Sequence, residues 1–222
     1  MCGRFSLITD VYELMRQFQF EFDGELEPRY NIAPGTDILA IAAHGDKRVA
    51  GMLRWGLIPF WADNEKIGYK MINARAETVH EKGSFKQPLK SKRCLIPADG
   101  YFEWKREGNV KQPYRFINQD NRPLAFAGLF DRWDRGGKTI YSCTIITTAA
   151  NEKTAAIHDR MPAILEREQQ DIWLDPSVTD PLTLTSLLKP YPLGKIDFYQ
   201  VSTRVNSARN EDEELIAPLN SK

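Results

Sequence analysis

The feature that most narrows the fold is the brevity of the apolar runs. "ILAIAA" (38–43), "VAGMLRWGL" (49–57), "RCLIPA" (93–98), "YFEWK" (101–105), "YRFI" (114–117), "LAFAGLF" (124–130) and "TIYSCTIIT" (139–147) are four to nine residues long and rich in branched or aromatic side chains. Runs of that length and composition, bounded by Gly, Pro, Asn or charge, read as strands. "KREGN" (105–109) supplies a hairpin turn between two of them. Helical periodicity is clear in "DVYELMRQF", where Val11, Leu14, Met15 and Phe18 fall at i, i+3, i+4 and i+7, with Thr9 or Asp10 as N-cap. Further helices are predicted at "NEKTAAI", with Asn151 as cap, at "EREQQDIWL" and at "PLTLTSLL". The expectation is an α+β, β-rich domain with mixed strands and flanking helices. No linker, repeat or low-complexity segment divides the chain, so residues 1–222 are expected to form a single domain.

Thirty Lys and Arg balance thirty Asp and Glu, so bulk charge makes no case for a nucleic-acid partner. The distribution is uneven: between Lys82 and Arg106 seven basic residues face only Asp99 and Glu103, and "EDEE" at 211–214 forms an acidic tail. Such a stretch can present a local anion-binding face, or be ordinary scatter on a solvated surface. Cys2, Cys94 and Cys143 are odd in number and lack CxxC spacing, and there are three histidines, so neither a disulfide framework nor a metal site is expected. Cys94 and Cys143 lie in apolar runs and read as inert core residues; Trp133 and Trp173 read as core. No run approaches a membrane span, no signal peptide opens the chain, and no cofactor motif is present, so a cytoplasmic, reducing-compartment protein is expected.

Five segments show neither period: "RYNIAPG" (29–35), "LRWGLIPFWADN" (53–64), "INARAE" (72–77), "IPADGYFEW" (96–104) and "IHDRMP" (157–162). They read as loops or strand ends, where sites tend to lie. The start "MCGRF" adds chemistry. Removal of Met1 would leave Cys2 with a free α-amine and a thiol. At pH 7 roughly one such amine in seven is unprotonated, against roughly one lysine amine in 2,500. The amine can attack an aldehyde to give an imine, and the thiol two bonds away can close on the imine carbon as a five-membered thiazolidine. Three other readings fit the same start: a small buried residue in a first strand, the nucleophile of an N-terminal cysteine amidotransferase, or a bystander in a non-covalent single-stranded DNA-binding module.

Taken together, "MCGRF", "RYNIAPG", "RWGLIPFW", "INARAET", "RCLIPADGYFEW", "TTAANE", "IHDRMP" and "VSTRVN" (201–206) resemble the SOS response-associated peptidase (SRAP) family, from residue 2 to about 206, leaving 207–222 as the tail. The resemblance implies an abasic site processing protein that binds single-stranded DNA, single/double-strand junctions included. It would form a covalent thiazolidine crosslink with the opened abasic aldehyde and act as a thiol autopeptidase on the residue ahead of Cys2. Members would work as monomers without metal or cofactor, associated with the nucleoid when bound to DNA. Matched motif by motif, the catalytic residues fall on Cys2, Asn73, Glu103 and His158. Glu103, flanked by Tyr101, Phe102 and Trp104, is a candidate general acid if partly buried, and an ordinary strand residue if exposed. His158 would shuttle a proton or hold a sugar hydroxyl, or merely cap a helix. Asn73 would orient the Cys2 amine or the sugar, or be a turn residue. Arg4, Arg75 and Arg160 are candidate phosphate forks, with Pro34 and Thr148 matching further phosphate contacts. Phe60, Trp61 and Phe85 would stack on bases, or pack in the core.

Overall fold

β9 (Leu124–Arg135) and β10 (Lys138–Ala149) organise the molecule, pairing antiparallel from Lys138↔Arg135 to Ile145↔Gly128 across the two-residue turn Gly136-Gly137. Both glycines have positive φ, +60° and +75°, which this tight turn needs to match the twist of its strands. The computed structural model describes residues 2–108 and 110–219. Asn109 of the predicted hairpin turn and Met1 lie outside the described residues.

Around this hairpin stand β3 (Asp37–His44), β4 (Lys47–Trp55) and β6 (Arg93–Ala98). β4 pairs with β3, β3 with β6, β6 with β9 and β9 with β10, while β10 returns to β4 through Ser142↔Arg54 and Cys143↔Trp55. The ring is therefore closed into a small barrel, which removes free edges. β5 (Asn73–Arg75) and β11 (Arg160–Pro162) extend the end of β10, parallel and antiparallel respectively. A second sheet has the order β12-β8-β7-β1-β2, built from β1 (Phe5–Leu7), β2 (Arg29–Ile32), β7 (Gly100–Glu107), β8 (Val110–Asn118) and β12 (Ile196–Gln200). Rings join the two layers: Phe5 meets Trp55 edge-on at 5.2 Å and Phe126 at 6.1 Å, and Tyr101 stacks on Phe116 at 4.7 Å while meeting Phe126 at 6.0 Å. This is the expected β-rich α+β architecture.

The helices flank the sheets. α1 (Val11–Phe18) starts at Asp10, whose side chain accepts from the Tyr12 N–H, and buries Leu14 and Phe18. α3 (Arg167–Leu174) and α4 (Pro181–Ser186) fall on two other predicted helices. "NEKTAAI" yields only a 3-10 turn over Thr154–Ala156, with Asn151 Oδ1 accepting from the Thr154 N–H at 2.9 Å. α2 (Gly83–Ser91) was not anticipated, because it opens on Gly83 and contains Pro88. It buries Phe85 and Leu89 against the core. Among the described residues no helix is long and apolar enough to cross a membrane.

Candidate active site

β1 carries the N-terminus into the seam between the layers. Phe5 pairs with Tyr101 and Ser6 with Gly100, and the Phe102 N–H donates to the Arg4 carbonyl at 2.9 Å. That register draws Cys2, just ahead of β1, into the electrostatic reach of Glu103 on β7, and Cys2 is fully buried. Burial pushes the Cys2 thiol up strongly, and the neighbouring Glu103 charge pushes it the same way. Glu103 is only 3% exposed, which raises its carboxyl to about 7, with Asp159 adding to the rise. Near neutrality this group can both give and take a proton.

His158 stands next to it, Nε2 lying 3.8 Å from Glu103 Oε2. In the neutral ring its Nδ1 accepts the Arg160 backbone N–H at 3.0 Å, and Asp159 Oδ1 lies 3.1 Å from the same nitrogen. Burial lowers the His158 pKa, favouring that neutral ring. A cavity of about 410 Å³ opens over Glu103 and His158, walled also by Trp104, Arg106, Lys111 and Asn206. A larger groove, about 1160 Å³, runs beside α1, α3 and the turn before β9 and contains none of the predicted site residues.

Asn73 opens β5 beside β10. Its Nδ2 donates to the Ile145 carbonyl at 3.4 Å, while its buried Oδ1 has no hydrogen-bond partner among the described residues. Orphaned buried acceptors are uncommon and mark places where a further donor belongs. Arg160, on β11, is held tightly: Nη1 and Nη2 grip the Glu77 carboxylate at 2.6 and 3.0 Å, and Nη2 also reaches the Thr147 carbonyl at 2.6 Å. Exposed Arg75 adds to the field that holds the Glu77 carboxyl low, after the Arg160 bonds. Glu77 lies within "INARAET", where nothing local in the sequence reveals a partner 83 positions away.

The C-terminal segment builds another wall. Asn31 is 1% exposed; its Oδ1 accepts from Arg4 Nη1 at 2.7 Å, and its Nδ2 donates to the carbonyls of Ser207 and Asn210 at 2.9 Å. Arg4 Nη1 also donates to the Val205 carbonyl at 2.9 Å, so this end of the guanidinium ties the N-terminus to the C-terminal segment. Nη1 of the predicted phosphate fork at Arg4 is thus already committed to the fold. The acidic tail does not lie free: Glu211 accepts from the N–H groups of Tyr30 and Asn31, and Arg204 pairs with Asp212 at 2.8 Å and with Glu214. Leu215 anchors it, fully buried with Phe102, Val201 and Val205. Trp104 Nε1 donates to Asn206 Oδ1 at 2.6 Å, fixing the indole at the cavity wall.

Phe60 and Trp61 stand out at 58% and 48% exposure on the loop after β4. Their loop is pinned from below: buried Asp131 accepts from the Phe60 N–H at 2.9 Å and pairs with Lys92, whose ammonium sits 6.0 Å from the Phe60 ring centre. Gly56, at the loop's start, has φ +130°, and a Cβ there would come within 2.6 Å of the Gly68 carbonyl oxygen. Phe85 corrects the expectation of a third stacking ring, since it is 6% exposed in the core under α2. Thr148 is likewise buried, at 4%, and its register partner is Met161 of β11, so its side chain offers no surface to a phosphate. Pro34 lies half-buried in the turn after β2, where the Gly35 N–H donates to the Trp55 carbonyl at 2.8 Å.

Comparison with known proteins agrees with this arrangement. The protein is 52% identical over 221 residues to the abasic site processing protein YoqW of Bacillus subtilis, covering 97% of this chain and 99% of that one. It is 36% identical to the abasic site processing protein HMCES of Gallus gallus, covering 99% of this chain and 78% of that one. A crystal structure of a protein from Bacteroides thetaiotaomicron superposes with a TM-score of 0.90 at 32% identity, over 98% of this chain and all of that one. The family described as SOS response associated peptidase (SRAP) matches residues 1–208, so with its barrel, its flanking sheet and its buried N-terminal cysteine the chain belongs to the SRAP family.

Proposed function

We propose that the protein processes abasic sites in single-stranded DNA, including single/double-strand junctions, by attaching itself covalently through Cys2 and shielding the lesion. The observation that carries this reading is the meeting of three groups: a buried cysteine one residue from the chain start, a carboxyl raised to about 7, and a histidine 3.8 Å from that carboxyl. The names of the relatives, abasic site processing proteins, support the same lesion as substrate. Met1 must first leave, by autoproteolysis or by a general aminopeptidase, so that residue 2 gains its amine. The protein would do this work as a cytoplasmic monomer on chromosomal DNA.

The chemistry follows from the groups present. An abasic sugar is mostly a closed hemiacetal; protonated Glu103 delivers a proton to its ring oxygen, the ring C–O bond breaks, and the anomeric hydroxyl gives its proton to water as the aldehyde is released. The Cys2 amine attacks the aldehyde carbon, forming a C–N bond; loss of the carbinol oxygen as water leaves an imine. The Cys2 S–H then adds across the C=N bond. Sulfur bonds to carbon, the proton passes to nitrogen, and the thiazolidine forms with no net gain or loss of protons. A thiol held high by burial needs its proton taken as it attacks, and Glu103, returned to its carboxylate, is the adjacent acceptor. His158, its Nε2 facing Glu103, hands protons to and from Glu103 or holds the freed sugar hydroxyl. Asn73 Oδ1 takes a hydrogen bond from the new amine or the sugar. Exposed Arg75 grips a phosphate, and Phe60 and Trp61 stack on flanking bases, favouring strands free of a continuous duplex stack.

The test is a denaturing gel of the protein with a single-stranded oligonucleotide carrying one abasic site, without borohydride. The reading expects a shifted band absent with the intact oligonucleotide, with Cys2→Ala protein, and much weaker with full duplex. No band from protein whose Met1 is gone overturns it, and a glutaminase assay then tests the amidotransferase alternative.

A further inference from the structure

The hairpin formed by β7 and β8 carries a feature that the covalent chemistry leaves unexplained. Arg106 and Lys111 are direct cross-strand partners near its tip. Such partners have Cβ atoms about 5 Å apart, and like charges placed there repel. Both side chains are exposed, neither has a carboxylate partner among the described residues, and both line the cavity over Glu103 and His158. Three of the four acids at 211–214 are used elsewhere: Glu211 by Arg29 and the β2 amides, Asp212 and Glu214 by Arg204. A like-charged pair at the mouth of a reaction cavity, with no carboxylate partner among the described residues, is placed to take an anion from outside.

We propose that Arg106 and Lys111 form a phosphate clamp for the DNA strand flanking the lesion, on the hairpin side of the cavity. The ligand is the phosphodiester backbone, one phosphate per cation, bound without regard to base. This inference rests on the abasic-DNA reading above. Arg106 and Lys111 lie beside Trp104 on the wall of the cavity over Glu103 and His158, so the strand is gripped at two phosphates next to the sugar. Held at two points, the backbone brings the abasic sugar over Glu103 instead of sliding past it.

The experiment is fluorescence anisotropy of wild type and variants with an intact single-stranded oligonucleotide over a range of salt. Each phosphate neutralised on a single strand contributes about 0.7 to the slope of log affinity against log salt. Arg106→Gln and Lys111→Gln should each lower the slope by about 0.7. The double variant should bind roughly tenfold more weakly at about 0.15 M salt. The charge-keeping swap Arg106→Lys with Lys111→Arg should restore the wild-type slope. Arg122→Gln with Lys189→Gln, which removes the same charge elsewhere, should leave it unchanged. An unaltered slope in the double variant, or an equal fall in the Arg122/Lys189 control, overturns the clamp. The denaturing gel is read separately: loss of the wild-type abasic adduct refutes the covalent reading, while anisotropy alone decides the clamp.

Discussion

Glu103 is kept in a state that costs the fold something. Its folded value of about 7 lies above the ordinary 4.5, because burial disfavours the carboxylate. The folded protein therefore holds this proton more tightly than the unfolded chain. Its contribution is most favourable below pH 4.5 and is lost as pH rises through 7, by on the order of 3 kcal/mol. Glu103→Gln removes that penalty, so the variant should be more stable than wild type at pH 8 and nearly equal at pH 5, as urea unfolding at both values will show. The same variant should lose nearly all adduct formation. In wild type the rate should be bell-shaped in pH, rising as the Cys2 amine deprotonates near about 7.8 and falling as Glu103 loses its proton. Glu103→Gln should retain only the rising limb. At this scale the sequence was informative: an acid between Tyr101, Phe102 and Trp104 could be expected to be buried if its strand was central. Phe85 was not legible, since an aromatic beside Lys82 and Lys86 looks exposed until α2 turns its ring inward.

Among the elements, the loop after β4 and the C-terminal segment make separate predictions. Phe60→Ala and Trp61→Ala should each weaken single-strand binding by about 1–3 kcal/mol, with the melting temperature unmoved because both rings are exposed. Leu215→Ala should cost about 2–5 kcal/mol in chemical denaturation, whereas Leu215→Met should cost less than about 1.5 kcal/mol. Leu215 is buried against Phe102, next to Glu103, so the loss should also reduce adduct yield near the midpoint of unfolding. The longer strands were legible from composition and spacing. β1, β5 and β11 were not, because three residues hold no period; their motifs read as loops or strand ends. "NEKTAAI" looked helical because Asn151 is a true cap, but the chain turns away after Thr154–Ala156 and delivers His158 to the cavity.

The whole molecule brings its two ends together at the site. Cys2 enters on β1, and the segment after β12 returns to clasp Arg4 through Asn31 and Val205. That closure, like the return of β10 to β4 in the barrel, depends on pairings between residues far apart in the chain, which no local pattern encodes. The acidic run at 211–214 could be seen in the sequence, but its partners, β2 and Arg204, could not. What the sequence did carry was the order of the short motifs, two of which, "MCGRF" and "YFEW", meet at the seam by Cys2 and Glu103. The central claim is the bond made there, and mass spectrometry of the trypsin-digested adduct tests it most directly. The account predicts the tripeptide Cys2–Arg4, without Met1, carrying the sugar remnant and with its thiol resistant to alkylation. A sugar remnant on a lysine, or a Cys2 thiol that still alkylates in the adduct, would contradict it.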